Sequence, residues 1–232
     1  MASLSQIVRS SPAPIRLTLI PSTEALERLR AGNERFVAET RRSDVHVGGT
    51  RRTQVAEGQE PFAIILGCSD SRVPAELIFD QGLGDLFVIR VAGNIVAASQ
   101  IGSIEFAAER FNTRLVLVVG HSQCGAITAT VDELQQESAN QSRNLRFIVD
   151  QIRPAVEPLL ATDLRSDRNA LIGEAVRANV RASVNHLRHG SDVLEQLIQS
   201  NGLAIVGAEY SLETGVVEFF DGVDIAGEAA EG

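Results

Sequence analysis

Cys68 and the pair His121/Cys124 are the residues of this chain best suited to chemistry, and they use both of its cysteines. Each follows an apolar run. Cys68 lies in Gly67-Cys68-Ser69-Asp70-Ser71-Arg72, after Phe62-Ala63-Ile64-Ile65-Leu66. His121 and Cys124 lie in Gly120-His121-Ser122-Gln123-Cys124-Gly125, after Leu115-Val116-Leu117-Val118-Val119. Two thiolates and one imidazole are good ligands for Zn²⁺, and three protein ligands rather than four mark a catalytic site with an open position. One Zn²⁺ per chain is expected. A water in the fourth position would have its pKa lowered from about 15.7 toward about 7.

The spacing is chemically coherent. Alternate residues of an extended segment share a face, so Cys68, Asp70 and Arg72 can point the same way. His121 and Cys124 are three apart, and a helix beginning there puts them on neighbouring positions of its first turn. That helix N-terminus favours the Cys124 thiolate. Two jobs are open to Asp70 beside a metal: to accept a hydrogen bond from zinc hydroxide and orient it, or to bind zinc and displace the water. Bidentate pairing with Arg72 would hold Asp70 ionised but off the metal. Each motif alone is weak, since an Asp/Arg pair near a strand end is often only a surface ion pair. Together, with no spare cysteine, they favour zinc over two inert buried thiols. A disulfide ranks below metal binding, because no secretory signal is evident and both cysteines sit at glycine-flanked strand ends.

The elements that must position these residues alternate in type. Strands are expected at 62–67, 86–91, 115–120 and 203–209, with 216–220 as an edge partner after a turn at Glu213-Thr214-Gly215. Ser22 or Thr23 is a plausible N-cap for a helix whose apolar stripe is Ala25, Leu26, Leu29 and Phe36. Residues 41–60 read as a loop. Further helices are expected over about 100–111, 141–160 and 169–199, with a bend or an end at Pro154 or Pro158. Fully apolar strands alternating with helices imply an α/β fold: a mostly parallel central sheet of about five strands flanked by helices, with an N-terminal helical arm. In such a sheet ligands gather at the carboxyl ends of strands, where both candidate segments lie.

Composition limits the function classes. The 232 residues suit one domain, here 23–232 behind an arm at 1–22. The first 17 residues carry serines, two arginines and no acid, and read as a disordered or docking arm rather than a transit peptide. A net charge of −9 without a basic run argues against nucleic acid as a partner. No apolar stretch approaches the ~18 residues needed to cross a membrane. A cytoplasmic location is expected, with organellar targeting by the N-terminal arm as the alternative.

The quoted segments, together with Phe87-Val88-Ile89-Arg90-Val91-Ala92-Gly93-Asn94 and Gly102-Ser103-Ile104-Glu105-Phe106-Ala107, resemble the β-class carbonic anhydrases. The match runs in order from about residue 23 to 220. It implies reversible hydration of CO₂ to bicarbonate and a proton. It also implies zinc on Cys68, His121 and Cys124, and Asp70 with Arg72 as the orienting dyad. Gln59, Phe87, Phe106 and Gly125 correspond to substrate-pocket positions, some supplied across a dimer interface. Phe106 stands where plant-type members have a tyrosine. By the same resemblance the chain forms a homodimer or homotetramer, and the stripe at 25–36 docks on a neighbouring subunit.

Some members hold an inhibitory bicarbonate on a tryptophan, an arginine and a tyrosine. Arg90 and Tyr210 match two of those positions, but Ile65 replaces the tryptophan, so this site is expected to be absent or weak. No proton shuttle is obvious; His46, His186 and His189 qualify only by titrating near neutrality. Two other readings are weaker. A retired zinc scaffold would gain nothing from an Asp/Arg dyad beside three ligands. A nucleotide-binding domain would need Gly82-Leu83-Gly84-Asp85 to follow a strand, and it precedes one.

Overall fold

The structure, a computed structural model, describes residues 19–40, 48–135 and 142–223. The arm expected over 1–22 lies outside the described residues as far as residue 18, and so does His46.

Five strands form one sheet: β1 (Ala63–Gly67), β2 (Leu86–Arg90), β3 (Leu115–His121), β4 (Ala204–Tyr210) and β5 (Val217–Asp221). Their order is β2-β1-β3-β4-β5. The first four are parallel, and β5 runs antiparallel to β4. Every residue of β1 and β3 is buried, as a parallel sheet covered on both faces requires. Successive side chains go to opposite faces. Ile65, Leu117 and Val206 join one core, while Ile64, Val118 and Ile205 join the other.

Helices cover both faces. α1 (Ser22–Val37) and α3 (Ala75–Ile78) lie on the first, separated in sequence by the short α2 (Gly49–Val55). On the second face lie α4 (Ala98–Arg110), α7 (Arg168–His189) and α8 (Asp192–Asn201). α5 (Gly125–Gln135), α6 (Arg143–Val156) and the start of α7 build a third apolar cluster, which includes Cys68 and Cys124. The chain goes from β1 to β2 on one side and then places β3 on the other. A crevice therefore opens between the carboxyl ends of β1 and β3. Gly67 pairs with Val119 in register, so both candidate segments leave the sheet at the same level.

The structure corrects four expectations. First, the α1 stripe is covered by its own chain, with Phe36 only partly so. Ala25, Leu26 and Leu29 are buried against Phe62, Ile78 and Phe79 of their own chain, because that face of the sheet otherwise faces water. Asn33 fixes the seat, donating to Ile78 O (3.1 Å) and Gly215 O (2.8 Å) and accepting from Val217 N (2.8 Å). Second, α1 starts after Pro21 with no side-chain cap, so neither Ser22 nor Thr23 has that role. Third, part of the expected 41–60 loop is helical as α2. It buries no residue, so it has no apolar stripe for periodicity to detect. Fourth, the 169–199 helix is two helices, broken at Gly190, with Ser191 capping α8 by accepting from Leu194 N at 3.1 Å. Among the described residues no helix is long and apolar enough to cross a membrane.

Gly32 permits the closest approach of α1. A Cβ at that position would stand 1.8 Å from the Phe79 carbonyl oxygen, which is backbone and cannot swing away. Gly32→Ala is expected to destabilise the fold by about 1–3 kcal/mol, as overpacking does. Thermal melting checks this, and an unchanged midpoint would contradict the α1 seat described here.

Candidate metal centre

Three elements converge at the crevice. β1 delivers Cys68 one residue past its end, β3 ends on His121, and Cys124 immediately precedes α5. The ligand atoms of the three lie within 4.8 Å of one another, and all three residues are buried. The two sulfurs are 4.0 Å apart and both thiols are free. Sulfurs each about 2.3 Å from a tetrahedral zinc stand ~3.8 Å apart, so the donor set is close to the spacing the metal needs.

His121 supplies the sharpest test of fit. Its Nδ1 lies 2.9 Å from Ser122 O, so that nitrogen carries the proton and donates it to the carbonyl. Nε2 is left with a bare lone pair, buried and without a hydrogen-bond partner. A buried unmet acceptor costs about 1–3 kcal/mol, and a cation among these donors would satisfy it. The residues fit Zn²⁺.

One of the two sulfurs, Cys68, is prepared as an anion. Cys68 Sγ accepts the Gly93 N–H at 3.4 Å. In the pair by itself one proton is shared: the Cys124 thiol hydrogen bond pulls Cys68 down to about 4, and that contact with burial pushes Cys124 up. Amides of Ala126 and Ile127, in the first turn of α5, oppose the rise at Cys124.

Asp70 stands at the edge of the cluster, with Oδ2 3.9 Å from His121 Nε2. Arg72 grips it bidentately, Nε to Oδ1 at 2.9 Å and Nη2 to Oδ2 at 2.7 Å, and the Arg72 backbone N–H adds a bond at 3.0 Å. The Arg72 hydrogen bonds hold the Asp70 carboxyl well below the usual carboxylate range. Arg90 reaches over from β2 and donates to Cys68 O (2.9 Å) and Asp70 O (2.5 Å), fixing the segment that carries both side chains.

The other sequence-derived residues distribute as follows. Gly125 is the exposed first residue of α5, beside Cys124. Gln59 is exposed and precedes β1, so within one chain the length of that strand separates it from Cys68. Phe87 and Phe106 form an aromatic group with Phe111, and Phe106 is 54% exposed. Ile65 is fully buried in the core that also holds Tyr210. His186 and His189 are exposed near the C-terminus of α7. Neighbouring Arg188 bonds Ile205 O near the start of β4, so these histidines lie at the end of the sheet away from the cluster. The sequence reading missed two buried side chains of α7 near the site, Asn179 and Ser183, which bond the carbonyls of Gly93 and Asn94. Polar residues within an otherwise apolar helical stripe were the available signal.

A family model described as carbonic anhydrase matches residues 63–217. Carbonic anhydrase 2 of Mycobacterium tuberculosis is 38% identical over 204 residues, covering 88% of this chain and 95% of its own length. The carbonic anhydrase of Mycolicibacterium smegmatis is 38% identical over 196 residues, covering 84% and 91%. Among solved structures, the β-carbonic anhydrase CafA of Aspergillus fumigatus aligns with a TM-score of 0.68 at 25% identity. That alignment covers 83% of this chain and 89% of the other.

Proposed function

We propose, on the premise that this chain belongs to the β-class carbonic anhydrase family, that it hydrates CO₂ reversibly to bicarbonate and a proton at the Cys68–His121–Cys124 centre. The observation that carries the reading is a buried three-donor cluster with an ionised carboxylate 3.9 Å from its one unmet nitrogen. Zn²⁺ held there would supply Lewis acidity, bringing a water toward deprotonation near neutrality.

The chain's own residues do the remainder. Cys68 and Cys124 offset the charge of a dication, and His121 presents Nε2 because Ser122 O fixes its tautomer. Asp70, an acceptor only while ionised, offers Oδ2 to an O–H of the attacking water and so turns a lone pair toward the CO₂ carbon. Arg72 keeps Asp70 ionised and restrains it from binding the metal itself. Gly125, with open space around it, leaves room for substrate beside Cys124.

A second copy of the chain completes the pocket. Exposed Gln59 and the Phe87/Phe106 pair are supplied across the interface of a homodimer or homotetramer, and the exposed face of Phe106 supports this part of the reading. Two free, buried thiols at the centre suit a reducing, cytoplasmic compartment.

An inhibitory bicarbonate site of the tryptophan–arginine–tyrosine kind is expected to be absent or weak. Ile65 offers no donor, and Arg90 already donates to two carbonyls. Initial rates at rising bicarbonate should show simple product inhibition, whereas a cooperative loss of rate at neutral pH would contradict this.

Stopped-flow CO₂ hydration on protein of known zinc content tests the function. Fast hydration with zinc near one per chain is the expected result. Full zinc without hydration anywhere from about pH 6.5 to about 9, the span around the pKa of an acidified water, would overturn it.

A further inference from the structure

We infer that Asn179 of α7 is a positioning residue for the metal centre, holding the Gly93 turn so that the Gly93 N–H stays on the Cys68 sulfur. The inference rests on the reading of Cys68 as a metal ligand.

Gly93 sits in the three-residue turn Ala92–Asn94 with φ of +69°, a conformation that L side chains rarely adopt. The turn is also tightly enclosed. A Cβ on Gly93 would lie 2.8 Å from Ile152 Cδ1 and 3.1 Å from Ala126 Cβ. The peptide plane before the Gly93 Cα carries the N–H that reaches Cys68 Sγ at 3.4 Å. The plane after it carries the carbonyl that accepts from Asn179 Nδ2 at 2.8 Å. One turn further along α7, Ser183 Oγ donates to Asn94 O at 3.1 Å. The planes on both sides of Gly93 are therefore tied, one to the Cys68 sulfur and one to α7.

Asn179 is only 3% exposed, on a helix face it shares with Val176, Val180 and Val184. A buried amide on such a face is disfavoured unless its hydrogen bonds are met, and the Gly93 carbonyl meets one. The helix that carries it is firmly seated. Gly120, next to His121, lets Val180 come so close that a Cβ there would stand 2.6 Å from Val180 Cγ2. α7 thus serves as a fixed reference for the turn. The route from Asn179 to the sulfur passes through one residue.

A hydrogen bond to a metal thiolate withdraws electron density from sulfur and fixes its direction. Losing such outer support costs roughly 10–100-fold in metal affinity, and an indirect contact belongs at the lower end. Zn²⁺ affinity of Asn179→Ala, and of the milder Asn179→Ser, is measured by competition with a chromophoric chelator. The Co²⁺-substituted proteins are compared by their thiolate-to-cobalt absorption. Affinity is expected to fall about tenfold, with the absorption moved to longer wavelength. Val184→Ala opens a cavity on the same helix without touching the turn, so it should lower stability and leave both readouts unchanged. An Asn179 variant that loses as much stability as Val184→Ala yet keeps wild-type affinity and absorption would overturn the inference. A wild-type Co²⁺ protein lacking any thiolate absorption would instead sink the metal-centre reading, and this inference with it.

Discussion

Cys124→Ser protein is expected to purify folded, without zinc, and with CO₂ hydration reduced beyond about 10³-fold, since an unassisted water has its pKa near 15.7. The substitution separates metal binding from folding better than most. Amides of the first α5 turn point at the Cys124 sulfur, and serine is itself a good acceptor at a helix N-terminus. The helix start is therefore kept, while a hydroxyl that stays protonated replaces a thiolate. Two ligands, Cys68 and His121, remain, which is too few for a tight tetrahedral site. Cys68→Ser should behave alike in zinc content. Metal analysis with stopped-flow rates on the same preparation reads both quantities. Zinc near one per chain in Cys124→Ser would remove this residue from the ligand set. Melting should match that of wild-type protein stripped by a chelator, because the lost stabilisation is that of metal binding.

Asp70→Asn should separate the other way, keeping zinc near one per chain while the rate falls on the order of 10²-fold or more. Asparagine preserves the volume and one oxygen, but its amide cannot accept from a water while also satisfying the backbone and the two guanidinium N–H groups of Arg72. Orientation is lost while the three donors are untouched. Arg72→Lys should fall between wild type and Asp70→Asn, because an ammonium cannot reproduce the bidentate grip. If Asp70→Asn kept the full hydration rate with full zinc, the orienting role would be wrong.

The strands were legible because β1 and β3 carry unbroken apolar runs closed by a glycine at the carboxyl end, the mark of a strand buried on both faces. The Cys68–His121–Cys124 cluster was legible for a related reason, as rare residue types placed just where those runs end. α2 was not legible, since a helix that buries nothing leaves no periodic mark. The seat of α1 on its own chain was not legible, because an apolar stripe records that something covers it, and not which surface does. Gln59 and Phe106 carry no local signal of the face they serve; one precedes β1 and the other sits on the outer side of α4.

By itself the sequence determined the candidate donor set, the strands of the sheet and the nearby carboxylate, since residue type and strand period are properties of neighbouring positions. Only the tertiary structure decided that Arg90 braces the Cys68–Asp70 segment and that α7 reaches across to the Gly93 turn. Asn179 and Gly93 are 86 residues apart, and no periodicity links them. Their contact exists because the close packing of α7 on Gly120 and Gly207 brings that helix within hydrogen-bond reach of the turn. Such distances follow from how the whole core fills space, which no local stretch of sequence encodes.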